Sequence, residues 1–100
     1  MAVLEDILSE ELQRIERIEA AYMEELYSLP KGVLVRKNIA GGEYYYLQYR
    51  EGNKIISKYI KPENKNETSV SIERRKSLQA ALKRINKDKA KIERMLRLSD

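Results

Sequence analysis

Lys31–Lys61 reads KGVLVRKNIAGGEYYYLQYREGNKIISKYIK, and within it the apolar period is two rather than the helical three to four. Ala40-Gly41-Gly42 and Glu51-Gly52-Asn53 are turn signals at hairpin spacing. They divide the stretch into expected strands at 33–39, 43–51 and 54–61, a three-stranded antiparallel meander. The stretch holds five of the chain's seven tyrosines and seven lysines and arginines. A tyrosine offers a flat apolar body with a polar tip, and a lysine or arginine offers a cation that seeks phosphate or carboxylate. The mixture therefore suits a contact surface better than a core.

On the N-terminal side, Leu4, Leu8, Leu12, Ile15, Ile18, Tyr22, Leu26 and Leu29 recur at spacings of three and four. This periodicity predicts a helix over 2–28, stopped by Pro30, which disfavours a helical Leu29. On the C-terminal side, Leu78, Leu82, Ile85, Ile92 and Leu96 repeat the pattern, with Lys89 in the seam and Ala81 and Ala90 widening the face. A second helix is expected over 70–97, capped by Thr68, Ser69 or Ser71. PENKNETS, residues 62–69, reads as a polar linker. The expected fold class is α+β in the order α-β-β-β-α, with the two long helices packed antiparallel. The 100 residues form one domain with three parts: an acidic helix at 1–29, a basic meander at 30–62, and a linker with a basic helix at 63–100.

Charge follows these parts. The net +4 resolves into −6 over 1–29, +5 over 30–62 and +5 over 63–100. Opposite charges on the two helices favour pairing with each other, as in coiled coils. The competing reading projects Arg74, Arg75, Lys76, Lys83, Arg84 and Lys87 outward as a phosphate-binding ridge. Val3, Ile7, Met23, Met95 and Leu98 form a second apolar edge, from which a homodimer through the helices is expected.

Several function classes recede on composition. There is neither cysteine nor histidine, which removes thiol chemistry, disulfides, the commonest zinc ligand and the usual general base. No enzyme, cofactor, metal or small-molecule substrate is expected. Glu10-Glu11 and Glu24-Glu25 read as solvated helix faces, since adjacent helical residues point about 100° apart. Gly41-Gly42 lacks the context of a nucleotide-binding loop. The acidic N-terminal stretch differs from a signal peptide, and no apolar run reaches membrane-spanning length, so a cytoplasmic location is expected.

The strand pattern sharpens the binding reading. With a two-residue turn at Gly52-Asn53, Tyr49 faces Ile56, Leu47 faces Lys58 and Tyr45 faces Ile60, forming the more apolar face. Tyr44, Tyr46, Gln48, Arg50, Ile55, Ser57, Tyr59 and Lys61 then share the reverse face. A three-residue first turn would place Val33, Val35 and Ile39 on the core side, with Arg36 and Asn38 beside the reverse-face tyrosines. Such a sheet suits nucleic acid, double-stranded DNA above all, in an accessory or regulatory role. Arg36, Lys37, Arg50, Lys54, Lys58 and Lys61 would supply phosphate contacts, and Tyr44, Tyr46, Gln48 and Tyr59 would touch bases or sugars. Asn38 and Gln48 are candidate base readers, and Arg50 is the candidate for guanine. The alternative is a protein-interaction module that docks a partner through the tyrosine face or the helical seam.

The run LPKGVLVRKNIAGGEYYYLQYREGNKIISKYI, residues 29–60, resembles an uncharacterised prokaryotic domain family. Its members carry a leucine-proline-lysine-glycine lead-in, a YYYLQYREG-type centre and a last strand ending in KYI. The resemblance implies the meander and brings no activity with it. Lys61-Pro62 departs from the pattern, where glycine often follows the last strand, so the exit from the sheet is expected to differ. The meander is also similar, at the level of fold, to the arm-type DNA-binding sheets of phage integrases.

Overall fold

The structure is a computed structural model that describes residues 2–98. The element order is α1 (Ala2–Ser28), β1 (Val33–Ile39), β2 (Gly42–Glu51), β3 (Lys54–Ile60), a 3₁₀ turn (Pro62–Asn64) and α2 (Lys65–Leu98). The three strands form one antiparallel sheet in the order β1-β2-β3. No helix among the described residues is long and apolar enough to cross a membrane.

The chain separates into two compact units, one of α1 with α2 from Ser77 onward, the other of Leu29–Lys76. In the helical unit the two helices run antiparallel. Leu4 and Leu8 near the start of α1 share a shallow hollow with Met95 and Leu98 at the end of α2, and Glu19 pairs with Lys89. Ile15, Leu78 and Ile92 form its buried core, Leu78 being only 1% exposed. Lys89 occupies the seam, as its position between Ile85 and Ile92 predicted, and remains charged by facing a carboxylate.

In the second unit, Leu47 at the centre of β2 and Ile72 in α2 are the buried apolar residues. Lys65, Thr68, Ser69, Ile72 and Arg75 form the less exposed stripe of the first turns of α2, at the three-and-four spacing of a helix. Two contacts tie these turns down: the Lys65 ammonium lies 4.3 Å from the Tyr45 ring centroid, and Arg75 donates to the Leu29 carbonyl at 3.1 Å.

Two expectations require correction. Residues 62–69 are a helix start rather than a linker. Pro62 opens a 3₁₀ turn after an extended Lys61 (φ −62°, ψ 145°), and the Asn64 amide donates to the Lys61 carbonyl at 2.9 Å. Proline fits there because its φ suits the first helical turn and its missing N–H would have had no partner. Thr68, Ser69 and Ser71 accordingly lie inside α2 and cap nothing.

The second correction concerns β1. Ile39 pairs with Gly42, so the first turn holds two residues, Ala40-Gly41, with φ of 50° and 83°. Positive φ at both positions is the type I′ signature, whose twist matches that of the flanking strands. A two-residue turn reverses the parity expected from three. Leu34, Arg36 and Asn38 therefore lie on the Leu47 face, and Val33, Val35, Lys37 and Ile39 on the other. The second hairpin has the expected register, Tyr49 to Ile56, Leu47 to Lys58 and Tyr45 to Ile60. Gly52 at φ 61° takes the first position of its two-residue turn.

Candidate functional site

The sheet has one face packed by α2 and one open. β1 brings Val33, Val35, Lys37 and Ile39 to the open face, β2 brings Tyr44, Tyr46, Gln48 and Arg50, and β3 brings Ile55, Ser57 and Tyr59. Direct cross-strand pairs seat Val35 against Tyr46 and Tyr46 against Tyr59, so the middle of the face is aromatic and aliphatic.

The tyrosines form a cluster. The Tyr46 and Tyr59 rings meet edge to face with centroids 5.7 Å apart, and Tyr44 leans on Tyr59 at 6.4 Å. These are the tilted geometries that ring quadrupoles prefer, and each pair contributes about 0.5–1.5 kcal/mol beyond its buried area. Lys37 sets its ammonium 4.7 Å from the Tyr46 centroid. That contact holds a cation at the centre of the face, at a gain of about 0.5–1 kcal/mol where exposed. Beside it the Gln48 amide donates to the Ser57 hydroxyl at 3.1 Å. Tyr44 and Tyr59 keep 39% and 47% of their surface in solvent, so the cluster stabilises the sheet and still leaves rings exposed.

The expected site residues divide between the two faces. Lys37, Tyr44, Tyr46, Gln48, Arg50 and Tyr59 come together on the open face. Lys61 keeps the parity of Tyr59 through its extended backbone. Arg36, Asn38, Lys54 and Lys58 lie on the Leu47 face instead. Asn38 is thereby removed as a partner of Gln48 in base reading. Arg36 reaches the Glu43 carboxylate at 3.3 Å, a solvent-exposed pair that contributes roughly 0–1 kcal/mol. Lys58 lines a hollow on that face with Pro30, Lys31, Leu47 and Tyr49.

Sequence reasoning placed Ile55 on the open face but missed the aliphatic share that β1 brings to it. Val33, Ile39 and Ile55 are 53%, 49% and 67% exposed. For β1 the available signal was the Ala-Gly pair itself, read as a type I′ turn in place of a three-residue loop.

Gly32 sets where β1 begins. Its φ is 116°, and a Cβ there would stand 2.2 Å from the Gln48 carbonyl oxygen. Only glycine lets the lead-in pass so close to β2. Among the described residues, no group of three or more acidic side chains is placed to hold a metal ion.

Comparison with curated proteins and with solved structures returned no match. A family model does match, over residues 5–69, which takes in most of α1, the whole meander with its open face, and the first turn of α2. With that match spanning well over half its length, the chain belongs to the family described as a domain of unknown function, DUF6788.

Proposed function

We propose that the open face of the sheet binds nucleic acid, with double-stranded DNA as the preferred form, and that the protein acts as a cytoplasmic accessory or regulatory factor. The observation that supports this reading is the gathering of Lys37, Tyr44, Tyr46, Gln48, Arg50 and Tyr59 on the one face that α2 leaves open. Three strands spaced about 4.8 Å apart are roughly 10 Å across, and a DNA major groove is about 12 Å wide. Arg50 offers a bidentate donor to guanine, and Gln48 a donor and acceptor to adenine, once its bond to Ser57 is exchanged. The tyrosines supply sugar contacts or stacking platforms. A homodimer, formed over the apolar edge that includes Val3, Ile7, Met95 and Leu98, would present two such faces to two half-sites.

The electrostatic term is smaller than six cations would give. Lys37, Arg50 and Lys61 are the cations with open-face parity, and three phosphate contacts correspond to a salt slope of about −2.7. Fluorescence anisotropy of labelled DNA and RNA at about 50 and 200 mM salt tests the reading. Affinity that falls about fortyfold between the two supports it, and affinity indifferent to salt defeats it.

A second reading, docking of a partner protein, draws on the exposed Val33, Ile39 and Ile55 around the tyrosines. An apolar centre with an aromatic anchor and a polar rim is the anatomy of a protein interface. Under that reading Tyr46→Ala abolishes binding, whereas Arg50→Ala changes mainly its rate.

A further inference from the structure

The outward side of α2 in the helical unit carries a second cationic surface. Ala80, Lys83, Arg84, Lys87 and Lys91, linked by spacings of three and four with Lys83 and Arg84 adjacent, line a shallow groove along the helix. Arg94 continues the row one step on. At 100° per residue this row lies opposite the seam of Leu78, Ile85 and Ile92. Ala80, Lys83, Arg84, Lys87, Lys91 and Arg94 are all exposed, in contrast to the buried Leu78 and Ile92. Asp88, half-buried, is the single acid lining the groove.

A solvated helix face usually interleaves signs, because a glutamate four residues before a lysine stabilises a helix and a like-charged pair at that spacing destabilises it. α1 shows the ordinary arrangement, with Arg14 bound to Glu11 at 2.6 Å. The row on α2 does the reverse, setting Lys83, Lys87 and Lys91 at successive four-residue steps. Each such pair costs the isolated helix a few tenths of a kcal/mol. A ligand with regularly spaced negative charge relieves that repulsion. The row holds no aromatic and no amide side chain, so it can neither stack on a base nor read its edge.

We infer that the Lys83–Arg94 row of α2 is a sequence-independent docking surface for the phosphate backbone of nucleic acid, separate from the open face of the sheet. The inference rests on the nucleic-acid reading of the protein and extends it to a second surface on another unit. The row from Lys83 to Arg94 covers eleven residue steps, about 16 Å of helix. That is the length of nearly five base pairs at 3.4 Å each. The sheet would supply discrimination between ligands, and the row would supply affinity without discrimination.

The test compares three forms of the full chain by anisotropy on two duplexes of unrelated sequence, from about 50 to 200 mM salt. These are the wild type, a row variant (Lys83→Gln, Lys87→Gln, Lys91→Gln) and a sheet variant (Tyr46→Ala, Arg50→Ala). Glutamine keeps helix propensity, and circular dichroism checks that helicity is retained. The expected result for the row variant is a salt slope shallower by about 2–3 and affinity at low salt reduced on the order of tenfold, equally on both duplexes. A row variant with wild-type slope and affinity overturns the inference while leaving the sheet reading intact. A sheet variant that binds like wild type, beside a weakened row variant, defeats the sheet reading and upholds the row. Light scattering is run in parallel. A row variant that loses self-association but not DNA binding assigns the row to the acidic side of a second copy, which also overturns the inference.

Discussion

The Lys89 ammonium donates to the Glu19 carboxylate at 3.0 Å, joining the two helices at a point where both side chains keep under a quarter of their surface in water. That hydrogen bond, aided by the charges of Glu19, Glu16 and Glu93 and opposed by partial burial, raises the pKa of Lys89 above its ordinary value. A raised lysine pKa means a stabilisation fully present below the unfolded pKa of about 10.4 and lost as pH rises through the folded value. Thermal midpoints should therefore fall above about pH 10.4, whereas this pair adds no pH dependence between pH 6 and 8, where its stabilisation is fully present. Lys89→Met alone should lower Tm by a few degrees because it strands a partly buried carboxylate, and Glu19→Leu added to it should recover most of the loss. A double variant less stable than the single one would refute this account of the seam.

Gly32→Ala should be the most damaging single substitution in the meander. The added methyl would meet the Gln48 carbonyl at 2.2 Å, from a backbone that L-residues rarely adopt. Destabilisation of about 3 kcal/mol or more is expected in urea unfolding. A loss under about 1 kcal/mol would mean that the lead-in to β1 moves easily.

Ala40 is the one non-glycine residue at positive φ among the described residues. An L-alanine in that region costs roughly 1 kcal/mol, and asparagine before glycine is favoured in a type I′ turn. Ala40→Asn should raise stability by about 0.5–1 kcal/mol, whereas Ala40→Val should lower it by at least as much. Urea midpoints read both.

Arg36 and Lys37 are adjacent and carry the same charge, yet occupy opposite faces. Lys37→Ala should weaken nucleic-acid binding and reduce the salt slope by about 0.9, while Arg36→Ala should leave both nearly unchanged. Equal effects would show that the ligand does not distinguish the faces.

The apolar end of the helical unit gives a prediction of mass. Leu4, Leu8, Met95 and Leu98 surround one hollow, and Leu4 and Leu98 are 61% and 77% exposed. Light scattering at micromolar concentration should return twice the chain mass, and Leu4→Glu with Leu98→Glu should return one. A single-chain mass for the wild type would remove the dimer.

The sequence was legible where one physical signal acted alone. The apolar period of α1, the proline after it and the Glu51-Gly52-Asn53 turn each had one reading, and each element lies where that reading put it. β1 failed because Val33-Leu34-Val35 is apolar at three successive positions. Its alternation cannot choose a face, and the decision passed to a turn whose length was misjudged. The start of α2 failed for a different reason. The stripe it turns toward lower exposure is Lys65, Thr68, Ser69, Ile72 and Arg75, mostly polar, and hydropathy does not register a helix held by a cation over Tyr45 and a guanidinium on a carbonyl. On the candidate site, the grouping of Tyr44, Tyr46, Gln48, Arg50 and Tyr59 was legible from the Gly52-Asn53 turn, whereas the β1 residues beside them were not, because these depended on the parity of β1.

That parity makes the length of the Ala40-Gly41 turn a discrete variable for the family. Adding one residue there without a compensating bulge would turn β1 over, carrying Lys37 and Ile39 away from the tyrosines and bringing Arg36 and Asn38 to them. Relatives that keep the same ligand should vary this loop in steps of two, or pair an odd insertion with a bulge. Relatives with an uncompensated odd insertion would present a different chemical surface from nearly the same letters.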